Sequence, residues 1–309
     1  MSVSTLEQVA ETSTQATATP ERILQRLDWK VIRRLDGLLQ GNYRSLFHGY
    51  GLDFADLREY QAEDDIRYID WNVTARMDTP YVREYLEDRE VTAWFLVDLS
   101  PSVDFGTAKS LKRAVLIDFV ATLSRLLTRH GNRVGVIVYG RRVDHMIPPR
   151  SGRVQVLRIV NDLLKQPQLP NAPFTNLKPL LEAGLSRIKR RSLVFVISDF
   201  ISEPGWEREL SLLNQRHEVL AVRLWDPREV DLPDVGPIIM EDAETGEQLY
   251  VDTHDKKFRA RFHDAALARE KALAETFNHA GVDVLSVSTD EDLVHSIVRF
   301  AALRQKRKM

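Results

Sequence analysis

The stretch TAWFLVDLSPS, residues 92–102, decides the fold. It opens as a run of large apolar residues, Trp94, Phe95, Leu96 and Val97. It then turns into Asp98, Ser100 and Ser102, short oxygen-bearing side chains at every second position. An uninterrupted apolar run of this length is the pattern of a strand buried on both faces, as in a parallel sheet covered by helices. Four further runs repeat it: RVGVIVYG from Arg133, SLVFVISD from Ser192, EVLAVRLWD from Glu218 and VDVLSVS from Val282. Between the first two, Lys109 to His130 carries Leu111, Val115, Phe119, Leu123 and Leu126 on one helical stripe, which Leu116, Val120 and Leu127 widen. A central helix buried on most sides is expected there, stopped by Gly131. A second long helix is expected over about Asp255 to Ala280, with Phe258, Phe262, Ala266, Leu273 and Phe277 inward, and a last one from about Glu291. The segment IIMEDAETGEQLYVDT reads as a hairpin turning at Thr245-Gly246.

Upstream of this alternation the composition differs. Residues 1–20, rich in Thr, Ser and Ala, are expected to form a disordered tail, and they lack the basic and apolar regions of a secretory signal. A helix is expected over Arg22 to Leu39. Residues 41–90 are crowded with charge, Tyr and Trp, and short runs such as Tyr68–Val73 and Tyr81–Tyr85 are expected to be strands. The expected organisation is a tail (1–20), an N-terminal helix with a small β-rich unit (21–90), and a doubly wound, mostly parallel α/β domain (91–309).

Composition narrows the function. The 309 residues are 43% hydrophobic, enough for a substantial core. The 43 basic and 45 acidic residues nearly cancel, which leaves no electrostatic footprint for nucleic acid. The chain has no cysteine, which excludes disulfides, thiolate zinc sites and a cysteine nucleophile. No apolar run approaches the roughly 18 residues of a membrane span, so a soluble, cytoplasmic protein is expected.

Ligands of open α/β sheets bind beyond the carboxyl ends of the strands, where the strand order reverses. There the first strand places Asp98, Ser100 and Ser102, the strand SLVFVIS places Asp199, and PFTNLKPLL places Thr175 just before a helix. Two carboxylates and three hydroxyls are hard oxygen donors, which suit Mg²⁺, Mn²⁺ or Ca²⁺ rather than zinc or copper. Residues two apart in an extended loop share a face, so the three side chains of the first loop can aim at one point. Two carboxylates about 4 Å apart repel by roughly 4 kcal/mol at an effective dielectric near 20, a conflict that a divalent cation removes. Taken alone, Asp-x-Ser-x-Ser is equally a strand terminus followed by a helix cap.

In type, order and approximate spacing, Asp98-x-Ser100-x-Ser102, Thr175 and Asp199 resemble the metal-ion-dependent adhesion site of von Willebrand factor A domains. The departures are Pro101 and Val103 in the first loop, and Phe200 where a glycine often follows the last Asp. The upstream stretch YRSLFHGYGLDFADLREYQAEDDIRYIDWNVTAR, running on through VREYLEDRE, is similar to domain-of-unknown-function family 58, a likeness covering nearly all of Gly41 to Ile297. The resemblance implies a von Willebrand factor A-like fold whose five residues hold Mg²⁺ (or Mn²⁺ or Ca²⁺). It also implies a protein partner that offers an acidic side chain to the ion. It further implies a non-enzymatic adaptor of a MoxR-type AAA+ ATPase in the assembly or maturation of other proteins.

A different chemistry fits the same first strand. An Asp at this position can be the nucleophile of a Mg²⁺-dependent phosphohydrolase. That reaction wants a general acid two residues on, where this chain has Ser100, and a lysine near the phosphate, none of which is recognisable in the pattern. GTAKS (106–110) lacks the spacing of a phosphate loop. The charges of DDIRYIDWNVTAR, among them Asp64, Asp65, Asp70 and Arg76, are expected to pair with Arg58, Arg67 and their neighbours rather than to catalyse. The eight histidines show no ligand spacing, and the basic end RQKRKM is expected to be solvated.

Overall fold

The structure, a computed structural model, describes residues 19–38, 53–62, 64–77, 79–86, 91–107, 110–169, 174–243 and 245–299. The expected disorder of the first residues and the solvated end 304–309 lie outside the described residues. The chain divides into two compact units, Gly41–Val91 and the remainder.

The N-terminal helix α1 (Pro20–Leu27) begins where Thr19 caps it, the Thr19 hydroxyl accepting from the Arg22 N–H, with Pro20 in its first turn. A π-helical segment (Asp28–Ile32) leads into α2 (Arg33–Leu38). The sequence grouping of this helix with residues 41–90 is corrected by the structure. Leu24, Leu27, Ile32 and Leu35 are buried within the larger unit, and Arg26 pairs with Asp118, Arg125 with Asp28 at 3.3 Å and Arg34 with Asp292 at 2.8 Å. The reason is amphipathicity, because an apolar stripe must be covered, and the larger unit's helices cover it.

In the smaller unit, β1 (Asp53–Glu59) pairs antiparallel with β2 (Tyr81–Leu86). A 3₁₀ turn (Ile66–Tyr68) and a short helix α3 (Trp71–Met77) lie between them. Tyr68–Val73 is therefore not a strand. Asp70 Oδ1 accepts from the N–H groups of Asn72 and Val73 at 3.0 and 3.2 Å, which caps α3 and turns the chain into it. Two of the expected charge pairs form: Arg58 forks onto Asp64 at 2.7 and 2.6 Å, and Arg67 binds Asp65 at 2.9 and 2.6 Å. The hydrogen bonds from Arg67 hold the Asp65 carboxyl down at about 2.

The larger unit has β3 (Thr92–Asp98), α4 (Lys112–Arg129), β4 (Arg133–Tyr139), β5 (Val143–Arg150), α5 (Arg153–Lys165), α6 (Lys178–Arg187), β6 (Leu193–Ser198), α7 (Glu207–Arg216) and β7 (Glu218–Trp225). The hairpin of β8 (Pro237–Glu241) and β9 (Gln248–Asp252), α8 (Lys256–Ala280), β10 (Asp283–Ser288) and a last helix α9 (293–299) follow. Six strands form one sheet in the order β10-β7-β6-β3-β4-β5, and every pairing is parallel except β4 with β5. The five apolar runs are its five parallel strands. The sixth, β5, carries Pro148 and Pro149 and does not read as a strand, yet at the sheet's edge a missing N–H is tolerated.

Alternate residues of β3 and β6 serve opposite faces. Trp94, Leu96, Val194 and Val196 join Leu180, Leu181, Leu210, Leu213 and Phe277 in one core, which places α6, α7 and α8 on that side. On the other, Phe95 stacks on Phe195 at 5.1 Å between ring centroids and Phe119 of α4 meets Phe195 edge-on at 6.4 Å. The result is a mixed α/β unit with a mostly parallel sheet between helices. α4 is buried nearly all round, as expected, although Leu111 lies before its first turn and is exposed.

Gly135 in β4 lies under the Trp94 ring. A Cβ at this position would stand 2.9 Å from the indole and 3.0 Å from the Ile147 carbonyl oxygen, and neither neighbour can withdraw freely. Gly135→Val is expected to lose about 2–3 kcal/mol, read as a lower urea midpoint with unchanged slope.

Candidate functional site

From β3 the chain proceeds to β4 and β5 on one side, then returns to place β6 on the other side of β3. The strand order therefore reverses between β3 and β6, and their carboxyl ends flank the crevice where ligands of such sheets bind. Asp98 ends β3 and Asp199 follows β6, 0% and 2% exposed.

The first loop folds on itself. Asp98 Oδ1 accepts from the Ser100 N–H at 2.9 Å, and the Ser100 and Ser102 hydroxyls lie 3.1 Å apart. Ser198 ties this loop to the next, its hydroxyl donating to Asp98 Oδ2 at 2.7 Å while its oxygen accepts from the Phe200 N–H at 2.9 Å. Asp199 Oδ1 accepts from the Ile201 N–H at 3.0 Å. Thr175, buried before α6, joins the same loop through its backbone, its carbonyl accepting from the Ser202 hydroxyl at 3.0 Å and the Glu203 N–H at 2.9 Å. The five residues singled out in the sequence thus belong to three loops at one end of the sheet, all buried.

Burial first, and then the negative charge of Asp199, raise the Asp98 carboxyl to about 6, while hydrogen bonds from Ser198 and Ser100 offset this in part. Among the described residues, the donors that reach it are all neutral. Asp199 differs, because Lys112 Nζ reaches its Oδ2 at 2.7 Å and Glu229 Oε1 at 2.6 Å. Lys112 is the first residue of α4 and is 0% exposed. Burial pulls its pKa down, but the two carboxylates more than reverse this and it carries its charge.

A third strand end completes the row. Asp226 follows β7 and is 0% exposed. It accepts from Thr107 through both N–H and hydroxyl at 2.9 and 2.7 Å, from the Thr289 hydroxyl at 2.6 Å and from the Arg228 N–H at 2.9 Å. Burial alone would raise its pKa, but these donors hold it at about 2. Glu229 closes a capping box onto the Asp226 N–H at 3.0 Å. Lys112, Glu229, Asp226 and Ser198 were not recognised in the sequence, and the expectation that no lysine stands near the site is corrected. Two signals were present: three apolar runs end in Asp, and α4 opens on Lys112-Arg113, where the helix dipole disfavours cations.

Phe200, which stands where the resemblance expects glycine, has φ +59°, the left-handed region that L residues rarely enter. Its ring is held by Trp206 at 5.5 Å and by Phe277, edge-on, at 4.9 Å. Packing of the aromatic side chain offsets the backbone conformation that the loop requires.

Hard oxygen donors, two buried carboxylates and an Asp98 that has no cation of its own among the described residues make a donor set that fits a divalent ion of the magnesium class. Among the described residues no group of three or more His, Cys, Asp or Glu side chains is arranged to hold a metal, so the fit rests on two carboxylates supplemented by hydroxyls. Beside Leu99 a cleft of about 460 Å³ opens, lined by Gly140, Arg141, Arg142, Asp144 and Gln166.

Fold and site together define a mixed α/β protein whose buried, oxygen-rich crevice lies at the point of strand reversal. The family described as protein of unknown function DUF58 matches residues 56–272, and the chain belongs to it. Uncharacterized protein Rv1480 of Mycobacterium tuberculosis and uncharacterized protein Mb1516 of Mycobacterium bovis are each 37% identical over 283 residues, 92% of this chain and 89% of the relative. Among solved structures, the conserved hypothetical protein BatB from Bacteroides thetaiotaomicron aligns with TM-score 0.44 at 12% identity over 71% of this chain and 100% of its own. An aerotolerance-related membrane protein from Bacteroides fragilis aligns with TM-score 0.44 at 14% identity over 70% and 99%. Among the described residues no helix of this chain is long and apolar enough to cross a membrane.

Proposed function

We propose that this protein is a non-enzymatic, metal-dependent protein-binding module of the von Willebrand factor A kind. In this reading Asp98, Ser100, Ser102, Thr175 and Asp199 hold Mg²⁺, or Mn²⁺ or Ca²⁺, and the ion keeps a position open for an acidic side chain of a partner. The observation that carries the reading is Asp98 itself. A carboxylate wholly buried beside a second carboxylate, and given only neutral donors by the described residues, is costly to keep unless a cation completes the site. Exposed Arg141 and Arg142 at the neighbouring cleft favour an acidic partner segment. The adaptor role beside a MoxR-type AAA+ ATPase in the cytoplasm belongs to the same proposal, and rests on the likeness of the whole chain to its family.

Mg²⁺ at ten times its dissociation constant is expected to stabilise the folded chain by roughly 1.4 kcal/mol. The shift in melting temperature should be reversed by chelation and absent in Asp98→Ala. No response to saturating Mg²⁺, Mn²⁺ or Ca²⁺ in calorimetry would reject the metal-dependent reading. A pull-down of the ATPase with wild type and Asp199→Ala, with and without Mg²⁺, tests the adaptor role.

Lys112 gives the phosphohydrolase reading a group it lacked in the sequence. The ammonium is engaged by two carboxylates and wholly buried, however, and Ser100 still occupies the place of the general acid. Turnover of phosphate esters that disappears in Asp98→Asn would favour that chemistry over the binding module.

A further inference from the structure

Lys112 is an expensive residue where it stands. It is the first residue of α4, where the helix dipole opposes a positive charge, and it is 0% exposed, so its ammonium has left water entirely. An uncharged side chain would avoid both costs. A local choice that contradicts the helix it starts points to a role outside that helix. Its ammonium bridges Asp199 Oδ2 at 2.7 Å and Glu229 Oε1 at 2.6 Å, with the Phe105 ring centroid 5.7 Å away. Among the described residues, Asp98, the other carboxylate of the crevice, has no such cation.

We infer that Lys112 is a resident competitor for the metal: its ammonium occupies one oxygen of Asp199 and sets the divalent-ion affinity of the free protein low. The inference rests on the metal-binding reading above. An incoming ion must share Asp199 with the ammonium or move it toward Glu229, and it meets a like charge while doing so. With the ion held weakly, a partner's carboxylate contributes a larger share of the site's cohesion. By linkage, the partner and the ion then strengthen one another's binding by the same factor. Lys112 is accordingly a positioning and affinity-setting residue, not a ligand.

The test is Mn²⁺ binding by titration calorimetry to wild type, Lys112→Gln and the double variant Lys112→Met/Glu229→Gln. Lys112→Gln keeps an N–H donor for Asp199 without the charge, and the double variant also neutralises Glu229, which a lone Met would leave without its counter-charge. Lys112→Gln is expected to bind Mn²⁺ roughly tenfold more tightly, or better, the order of effect expected for removal of a neighbouring like charge, and the double variant, which loses the Glu229 charge as well, is expected to bind more tightly than wild type by a smaller factor. In parallel, the side-chain ammonium resonance of Lys112 in ¹⁵N-lysine-labelled wild type should shift during a Mg²⁺ titration, a readout that requires no variant to fold. Variants no tighter than wild type, or a resonance unmoved at saturating Mg²⁺, would overturn the inference while leaving the metal site intact. Binding by the variants but not by wild type would support competition and reject a metal-loaded free protein. Binding by none of the three would reject the metal reading, and the role of Lys112 with it.

Discussion

Asp98→Asn is expected to make the metal-free protein more stable at pH 7, by on the order of 2–3 kcal/mol, although it deletes two charge-assisted hydrogen bonds. The sign follows from the raised carboxyl. In the unfolded chain Asp98 loses its proton near 3.8; in the folded chain burial and Asp199 delay the loss to about 6. Between these values the folded state binds a proton that the unfolded state has released. The stabilisation is therefore fully present below about 4 and lost as pH rises through about 6. Asparagine removes this penalty, and its amide fits the site: Oδ1 still accepts from the Ser100 N–H, and Nδ2 can donate to the Ser198 oxygen. Urea unfolding in EDTA at several pH values should show the wild type weakening between about 4 and 6 and the variant flat across that window. Asp226, held at about 2, acts in a separate window, since its contribution is lost only as pH falls from the ordinary carboxylate range toward 2. In Mg²⁺ the order at pH 7 should reverse or narrow, because only the wild type gains from the ion. An Asp98→Asn protein less stable than wild type in EDTA at pH 7 would mean that Asp98 is not an uncompensated buried charge.

Phe200→Ala is expected to cost about 3–5 kcal/mol, the ordinary range for deleting a buried aromatic ring. Phe200 is 6% exposed and contacts both Trp206 and Phe277, so truncation opens a cavity between α7, α8 and the loop after β6. Alanine at φ +59° retains the unfavourable backbone conformation, whereas glycine relieves roughly 1–2 kcal/mol of it. Phe200→Gly is therefore expected to be at least as stable as Phe200→Ala, the reverse of the usual order for these two residues. The effect extends to the site, because the Phe200 N–H holds the Ser198 oxygen whose hydroxyl donates to Asp98. Both variants should weaken Mg²⁺ binding as well as stability. Alanine ahead of glycine in denaturant midpoint would show that residue 200 is not left-handed in solution.

How much of this was legible in the chain depended on whether the signal was local. The apolar runs at 92–98, 133–139, 193–198, 218–225 and 283–288 needed no partner to be recognised, because strands covered on both faces are apolar throughout. The hairpin at Gly246, with φ +71°, and the cap of α8 at Asp255 were equally local, resting on turn and cap chemistry. Elsewhere tertiary context decides the local structure. The edge strand β5 tolerates Pro148 and Pro149 only because of its place in the sheet, and α3 replaces a strand because Asp70 caps it.

The sequence by itself determined the parallel α/β plan and put Asp98, Ser100, Ser102 and Asp199 at strand ends, since strand ends and oxygen side chains are both written locally. Only the tertiary structure decided that β3 and β6 are neighbours, which brings Asp98 under the charge of Asp199. It also decided that Lys112, 87 residues before Asp199, is that residue's counter-charge. Coulombic interaction depends on distance in space, and the folding of the sheet, not the spacing of residues along the chain, sets that distance.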